Sequence, residues 1–457
     1  MLRTFLILAA LLTSAPCASA SPPNIVLIIS DDQAWTDYGF MGHPAIRTPN
    51  LDRLAARSAV FRRGYTPTPL CRPSLMSIIT GRYAHQHGVT GNDPRREAGM
   101  SDDVWNTQRT QLISRIADQP TLPKLLGASG YLSLQTGKWW EGHWKTGGFT
   151  HGMTRGFPEQ GGRHGDDGLE IGRTTMQPVY DFIAEASAAS KPFFIWYAPM
   201  LPHTPHDPPE RLLAQYRATD RPEALAKYFA MCEYFDESCG QLLTHLDDRG
   251  FTDNTIVIYV TDNGWIQATP DMKLGPDWKQ PFAPRSKNTP YESGIRTPVM
   301  ISWPGVVTPA DRPELVSNLD VFPTVLDAIG LDHPQHEAGA SLLPLLRDNT
   351  PLQRDALCGE CYTHDVADLD QSEVSLLYRW CIRDNWKLIV RYESPPDRYA
   401  IVHAGNDRQP QLFDLATDPH ETTSVVDKHA DIVLELAARL QQEWTVSKPV
   451  IELDAKK

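Results

Sequence analysis

Residues 66–88, TPTPLCRPSLMSIITGRYAHQHG, hold a single cysteine, Cys71, two positions before a proline and an apolar run. Pro73 suits a first helical turn, Leu75, Met76, Ile78 and Ile79 continue it, and Gly81 can end it. A cysteine at such a helix start faces unpaired N–H groups and the positive end of the macrodipole, which favour an anion and an activated nucleophile. The same pattern fits a buried core thiol, since free cysteine is among the most buried residue types. Two further pairs could do chemistry: Asp31-Asp32 and Asp262-Asn263 each directly follow an apolar run. They offer only oxygen ligands, which suit Ca²⁺, and less well Mg²⁺, and fit zinc or copper poorly. Either pair alone reads as turn chemistry. Two pairs in the same context favour a cation, because adjacent carboxylates at a strand end repel each other. Lys138, in Thr-Gly-Lys-Trp-Trp, reads by itself as a surface lysine.

The elements around these groups alternate. Asn24–Ser30 (NIVLIIS) is a short apolar run rich in β-branched residues, the pattern of a strand buried on both faces. Strands are expected near 131–134, 192–197, 255–260 and 298–303, with helices from Thr48-Pro49, over 121–126, around Val179 to Ala186 and over 222–249. Alternation of this kind predicts an α/β fold built on a large sheet flanked by helices. Asp31-Asp32, Lys138, His203 and Asp262-Asn263 all lie just after strands, where open α/β sheets bind ligands. From about residue 355 the pattern changes to short strands (380–382, 386–392, 411–414) and a last helix over 430–444. This predicts a main domain over 21–354 and a smaller α+β subdomain over 355–457.

Residues 142–172 contain ten of the chain's thirty glycines together with His143, His151, Arg155, Arg163 and His164. Such a segment reads as a long loop whose exposed cations form a binding rim for a polyanion. The net charge of −13 argues against nucleic acid or an anionic membrane as a general partner. Arg3, the apolar residues from Phe5 to Leu12, and Ala18-Ser19-Ala20 read as an export signal over 1–20, cleaved near Ala20. No later run is long enough to span a bilayer, so a periplasmic or secreted protein is expected. Removing the leader and its Cys17 leaves six cysteines. Cys232 and Cys239 fit the apolar face of the 222–249 helix and read as core thiols. Cys358, Cys361, His364 and Cys381 have spacing that zinc could use, but a disulfide, Cys358–Cys361 or Cys361–Cys381, suits an exported protein better.

CRPSLMSIITGRY resembles the sulfatase signature, Cys-x-Pro-x-Arg followed by a Thr-Gly-Arg-Tyr ending; Cys71, Pro73, Thr80, Gly81, Arg82 and Tyr83 match. The segment Lys287-Asn288-Thr289-Pro290-Tyr291-Glu292-Ser293-Gly294 is similar to another family motif, with Ser293 in place of a glycine, and Asp418-Pro419-His420-Glu421 resembles the family's C-terminal part. The resemblance covers nearly the whole mature chain and implies an alkaline-phosphatase-like architecture. It also implies a formylglycine made from Cys71 by a maturation enzyme, and a calcium ion held by Asp31, Asp32, Asp262 and Asn263. Lys138 and Lys287 would contact sulfate oxygens, and His203 would protonate the leaving group, with His206 supporting or catalytic. The implied activity is hydrolysis of a sulfate ester on a carbohydrate or small molecule. Glycan binding by an impaired site, or phosphate mono- or diester hydrolysis, are the alternatives. Two positions depart from the family: Leu75 stands where it has an arginine beside the nucleophile, and Trp140 where it has a histidine base. Arg72 is adjacent to the first gap, and His143 or His85 could fill the second.

Overall fold

The computed structural model describes residues 21–447, apart from 219, 335–337, 394, 396–398 and 404–408. Residues 1–20, read above as an export signal, lie with Cys17 outside the described residues. Six long strands carry the main sheet: β1 (Asn24–Ser30), β2 (Ala59–Tyr65), β3 (Leu132–Gly137), β4 (Phe193–Ala198), β5 (Thr255–Thr261) and β6 (Arg296–Ser302). Their spatial order is β2-β6-β5-β1-β4-β3, and three short strands bring the sheet to nine. The centre is parallel: Ser30 of β1 lies opposite Thr261 of β5, Ile28 opposite Tyr197 of β4, and Thr136 of β3 opposite the same Tyr197. Only β6 among the six runs against its neighbours, pairing antiparallel with both β5 and β2. The carboxyl ends of β1 to β5 and the amino end of β6 therefore share one edge.

The alternation of side chains along β1 divides the core into two layers. Ile25, Leu27 and Ile29 pack with Ile78 and Ile79 of the Cys71–Thr80 helix on one face. Val26 and Ile28 pack with Phe235 and Leu242 of the Glu223–Asp248 helix on the other. Each such aliphatic side chain contributes roughly 1.5–3 kcal/mol when fully buried, so both helices are fixed to the sheet by many small terms. Cys232 and Cys239 are buried among these helix contacts, as expected of core thiols.

Strand β2 was not legible as a strand. Its sequence, AVFRRGY, is broken by Arg62 and Arg63, which sit where the register shifts between Phe61 and Gly64. A bulge lets two charged residues turn outward without costing the ladder. The C-terminal part is a four-stranded antiparallel sheet of Leu357–Tyr362, Leu376–Arg383, Trp386–Arg391 and Gln411–Asp414, covered by the Ala430–Glu443 helix. Its first strand, LCGECY, was also missed.

The cysteines of this sheet correct the expected pairings. No disulfide joins the described cysteines. Cys358 lies directly opposite Cys381 across the ladder, whereas Cys361 faces Tyr378 and its thiol donates to the Asn288 carbonyl at 3.3 Å. Cys358 and Cys361, three residues apart on one strand, are separated by about 10 Å, beyond a disulfide's reach. The zinc reading fails as well, since the His364 ring is engaged by Asn92 and Asp365. Among the described residues, no helix is long and apolar enough to cross a membrane.

Candidate active site

The shared edge of the sheet brings the sequence-predicted groups to one buried locus. β1 delivers Asp31 and Asp32, β5 delivers Asp262 and Asn263, β3 delivers Lys138, and the loop after β4 delivers His203. β2 leads through residues 66–70 to Cys71, the first residue of its helix, and the segment before β6 carries Lys287. Asp32, Asp262, Asn263, Cys71, Lys138 and Asp31 are almost entirely buried.

Their contacts are mutual. The Lys138 ammonium lies 2.6 Å from Asp31 Oδ1 and 3.4 Å from Asp262 Oδ2. Lys287 reaches both Asp32 oxygens at 2.6 Å. Asn263 Nδ2 donates to Asp32 Oδ1 at 2.6 Å, and the Asp32 backbone N–H donates to Asp262 Oδ1 at 3.1 Å. His203 Nδ1 donates to the Thr204 carbonyl at 2.5 Å, which turns Nε2 toward Asp32 Oδ2 at 3.3 Å. Asp32 sits in the left-handed region at φ +60°, where its backbone can donate inward.

Charge balance sets the protonation states. Burial would raise the Asp32 carboxyl, but Lys287, His203 and Lys138 outweigh it and bring it down to about 2. Asp262 goes the other way: burial, then the neighbouring Asp31, pushes it well up despite Lys138. Burial would lower both lysines, yet the carboxylates hold them charged above their ordinary range. Burial lowers His203. Cys71 is pushed up to about 11 by burial, against the pull of both lysines. Desolvation therefore exceeds the favourable field of the helix start and the two lysines.

Two observations test whether these residues fit a cation. Asp31 Oδ2 and Asn263 Oδ1 are buried acceptors with no hydrogen-bond partner, which is costly unless something fills the space between them. Ligand atoms of Asp31, Asp32, Cys71 and His203 all lie within 4.8 Å of one another. A buried cluster of two carboxylates, a thiol and an imidazole can hold a metal, with Asp262 and Asn263 hydrogen-bonded to Asp32 at its edge.

The other sequence-predicted groups divide. Arg72 does not reach toward Cys71; its guanidinium makes a buried bidentate pair with Glu141, both bonds 2.7 Å. Leu75 is packed into the core. His85 pairs with Glu360 and stacks on Trp444, and His143 caps the Lys145 N–H, so neither faces the nucleophile. His206 packs between Tyr228 and Trp265. The glycine-rich segment is folded rather than a free rim, with 3-10 turns at Trp144–Gly147 and Asp166–Glu170. Arg155 pairs with Asp167 at the surface, whereas Arg163 and His164 line a cavity of about 380 Å³ above Cys71. Trp140 lines it too, with the His164 ring edge-on at 5.4 Å and the Arg163 guanidinium over its face at 4.6 Å. Sequence reasoning missed Asn92, Asp93 and Trp105, which also line this cavity, and gave no role to Asn288, which lines it from within the Lys287 motif. Nothing in their spacing marks them.

The signature's ending is structural. Thr80 bonds back to the Met76 carbonyl, Gly81 ends the helix at φ +66°, and the Tyr83 hydroxyl donates to the Cys358 carbonyl. Gly137, just before Lys138, has φ +72°, and a Cβ there would sit 1.9 Å from the Ala198 carbonyl oxygen. Gly137→Ala is expected to destabilise the fold by about 2–3 kcal/mol through backbone strain and to move Lys138. Urea unfolding checks the first effect and catalytic turnover the second; a wild-type midpoint would contradict the first and wild-type turnover the second.

Comparison with known proteins supplies independent findings. The family model described as "Sulfatase" matches residues 23–331, and "N-sulphoglucosamine sulphohydrolase, C-terminal" matches residues 285–446. Human N-acetylgalactosamine-6-sulfatase is 29% identical over 489 aligned positions, covering 93% of this chain and 89% of the human protein. N-acetylgalactosamine-6-O-sulfatase of Bacteroides thetaiotaomicron is 24% identical, covering 93% of this chain and 94% of that protein. A solved structure in complex with its substrate D-glucosamine-2-N,6-O-disulfate shares the fold, with TM-score 0.70 and 21% identity over 93% of this chain and 97% of that one.

Proposed function

The chain belongs to the sulfatase family and is a sulfuric ester hydrolase, and from that premise we propose that it removes sulfate from a sulfated carbohydrate. In this reading Cys71 is converted to formylglycine by a maturation enzyme, and Asp31, Asp32, Asp262 and Asn263 hold Ca²⁺. The observation that carries the reading is the convergence of Cys71, both lysines, His203 and four oxygen donors at one buried locus. Burying so many charged groups is costly unless they act together. The relatives' names place sulfate on an amino sugar, which makes N-acetylgalactosamine 6-sulfate the first compound to assay. The export signal read at residues 1–20 completes the proposal: a periplasmic or secreted enzyme.

The formylglycine hydrate would supply the attacking hydroxyl and the cation would withdraw charge from the sulfate. This chain's residues do the rest. Lys138 and Lys287 already stand charged in a water-poor site, so they can neutralise charge that develops on sulfate oxygens without reorganising. His203, held by Thr204 through Nδ1, presents Nε2 to the same locus; as the imidazolium, which Asp31 and Asp32 favour against burial, it can pass the Nε2 proton to the departing oxygen. Asn263 and the Asp262 carboxylate orient Asp32 from either side.

Ion chromatography of released sulfate from N-acetylgalactosamine 6-sulfate, glucosamine 6-sulfate and an aryl sulfate tests the activity. Faster release of phosphate from the matching phosphate esters would overturn it in favour of the phosphate-ester reading. A second reading, a binding protein with an impaired nucleophile, rests on one observation: no arginine occupies the place of Leu75, and Arg72 is committed to Glu141.

The cation has its own test. Chelation is expected to lower the melting temperature, and Ca²⁺ to restore it, because a ligand bound only by the native state adds about 2.7 kcal/mol at a hundred times its Kd. Asp262→Ala should abolish the response. A wild-type melting temperature unchanged across a wide Ca²⁺ titration would remove the cation from the proposal.

A further inference from the structure

The cavity above Cys71 is lined by residues with buried polar atoms that make no hydrogen bond. Asp93 is 4% exposed and lines the cavity. Its Oδ2 accepts from Arg163 Nε and Nη2 at 2.8 and 2.5 Å. Its Oδ1 lies 3.4 Å from the Arg109 guanidinium yet accepts no hydrogen bond. Asn288, beside Lys287, is 3% exposed and lines the cavity as well. Its backbone is pinned, the N–H donating to the Pro69 carbonyl at 2.9 Å and its own carbonyl accepting from the Cys361 thiol. Its side chain is unspent: neither Oδ1 nor Nδ2 has a partner. Trp140, also in the lining, has an unpartnered indole N–H.

Each of these four atoms would cost roughly 1–3 kcal/mol if left desolvated and unpaired, and the three residues that carry them line one cavity. A ligand that repays all three must both donate and accept hydrogen bonds while tolerating aromatic neighbours such as Trp105 and Trp140. An anionic sulfate alone cannot do so, because it has no donor for the Asp93 carboxylate. A planar aryl group has neither donor nor acceptor. A pyranose ring has both, with hydroxyls at its edge and C–H groups on its face.

We propose that Asp93 and Asn288 read the ring hydroxyls of the sugar that carries the scissile sulfate, with Arg163 as the residue that positions Asp93. This rests on the sulfated-carbohydrate reading above and adds the residues that make it selective. Asp93 Oδ1 accepts from one hydroxyl; the Asn288 carboxamide donates to and accepts from others. Trp105 and Trp140 give the ring an apolar surface. Arg163, paired with Asp93 and stacked on Trp140, keeps the carboxylate aimed. A site built to bond hydroxyls rejects an analogue lacking them, because its own polar groups are then stranded.

The test compares kcat and KM for N-acetylgalactosamine 6-sulfate, glucosamine 6-sulfate, galactose 6-sulfate and 4-nitrophenyl sulfate in the matured wild type and in Asn288→Gly. Glycine removes the side chain and tolerates the φ of +61° at this position, so the variant is not strained. The preferred sugar is expected to lose about 10- to 100-fold in kcat/KM, mainly through KM. The aryl sulfate should lose less, so that the sugar-to-aryl ratio falls at least tenfold. A second readout needs no turnover: the desulfated sugar should raise the wild-type melting temperature at millimolar concentration and shift Asn288→Gly by less than half as much. Arg163→Lys, which keeps the charge but not the fork, should raise KM for the sugar and leave its kcat within threefold. Equal losses on sugar and aryl substrates, or equal stabilisation of both proteins by the sugar, would overturn the assignment of Asn288. A wild type that prefers the aryl sulfate to every sugar would also overturn it, while leaving the sulfatase reading intact. Absence of sulfate release from any substrate would instead sink the function on which it rests.

Discussion

Cys71→Ala is expected to lower kcat for sulfate esters by roughly a million-fold, the order seen when a covalent nucleophile is removed. The expectation follows from the environment rather than from the motif alone. An unmodified Cys71 thiol is held up at about 11 by burial, so almost none of it is thiolate at neutral pH, and Lys138 and Lys287 do not reverse this. Burial thus makes the bare thiol a poor nucleophile, which favours a different group at the same carbon, the formylglycine of the proposal. The peptide containing Cys71, from protein made in its native host, should have exchanged its sulfur for an aldehyde oxygen. Leu75 does not block this reaction by bulk: it lies on the core side of the helix, packed with Ile78 and Ile79. For the same reason Leu75→Arg should not restore a family contact; it would bury an unpaired guanidinium in an apolar layer. Full activity alongside an unmodified cysteine, or a Cys71→Ala variant within tenfold of wild type, would refute the nucleophile assignment.

Lys387→Met is expected to cost about 3–5 kcal/mol of stability, the range for removing one partner of a buried ion pair. Lys387 is completely buried, with its ammonium 3.0 Å from Glu292 Oε1 and 2.8 Å from Glu421 Oε1. Glu421 Oε2 also accepts the Glu292 N–H at 2.6 Å, and Glu292 Oε2 accepts the Tyr65 hydroxyl at 3.1 Å. This cluster joins the C-terminal sheet to the segment that carries Lys287. Without the lysine, two carboxylates face each other with no cation between them. Burial and Glu292 already push the Glu421 carboxyl up, and Lys387 restrains it. In the variant it rises further, so the folded state binds more protons than the unfolded chain and stability falls as pH rises through the folded pKa. The gap between variant and wild type should therefore narrow on acidification. Urea midpoints across pH 5–8 check both parts; a gap below about 1 kcal/mol, the upper end for a surface pair, or one that widens toward acid, would contradict the account.

This cluster also gives a physical reason for two motifs that the sequence offered only as resemblance. Glu292 and Glu421 are neither catalytic nor exposed; they are two halves of one buried clamp. Ser293 stands where the family has glycine, and its side chain is accommodated without disturbing the turn, because the close approaches fall on its neighbours. A Cβ at Gly264 would meet the Ser293 carbonyl at 2.1 Å, and one at Gly294 would meet two carbonyls at 2.4 Å.

The sequence by itself determined that the chain is an α/β protein and that Asp31, Asp32, Asp262 and Lys138 follow strands. Continuous β-branched runs bury both faces and leave a readable signal, and polar groups directly after such runs have little choice of location. It did not determine that β2 is a strand, because a bulge carrying Arg62 and Arg63 erases the apolar pattern; yet β2 is what brings Cys71 to the cluster. Nor did it determine the direction of β6, which returns Lys287 to the same edge through a segment read only as a motif. Whether Arg72 could replace the missing arginine was open until tertiary contact decided it: a partner 69 residues away, Glu141, claims the guanidinium. The cavity lining was beyond reach for the same reason. Asp93, Trp105, Arg163 and Asn288 come from separate segments with no shared period, and the unspent hydrogen bonds of Asp93 and Asn288 exist only once packing has removed them from water.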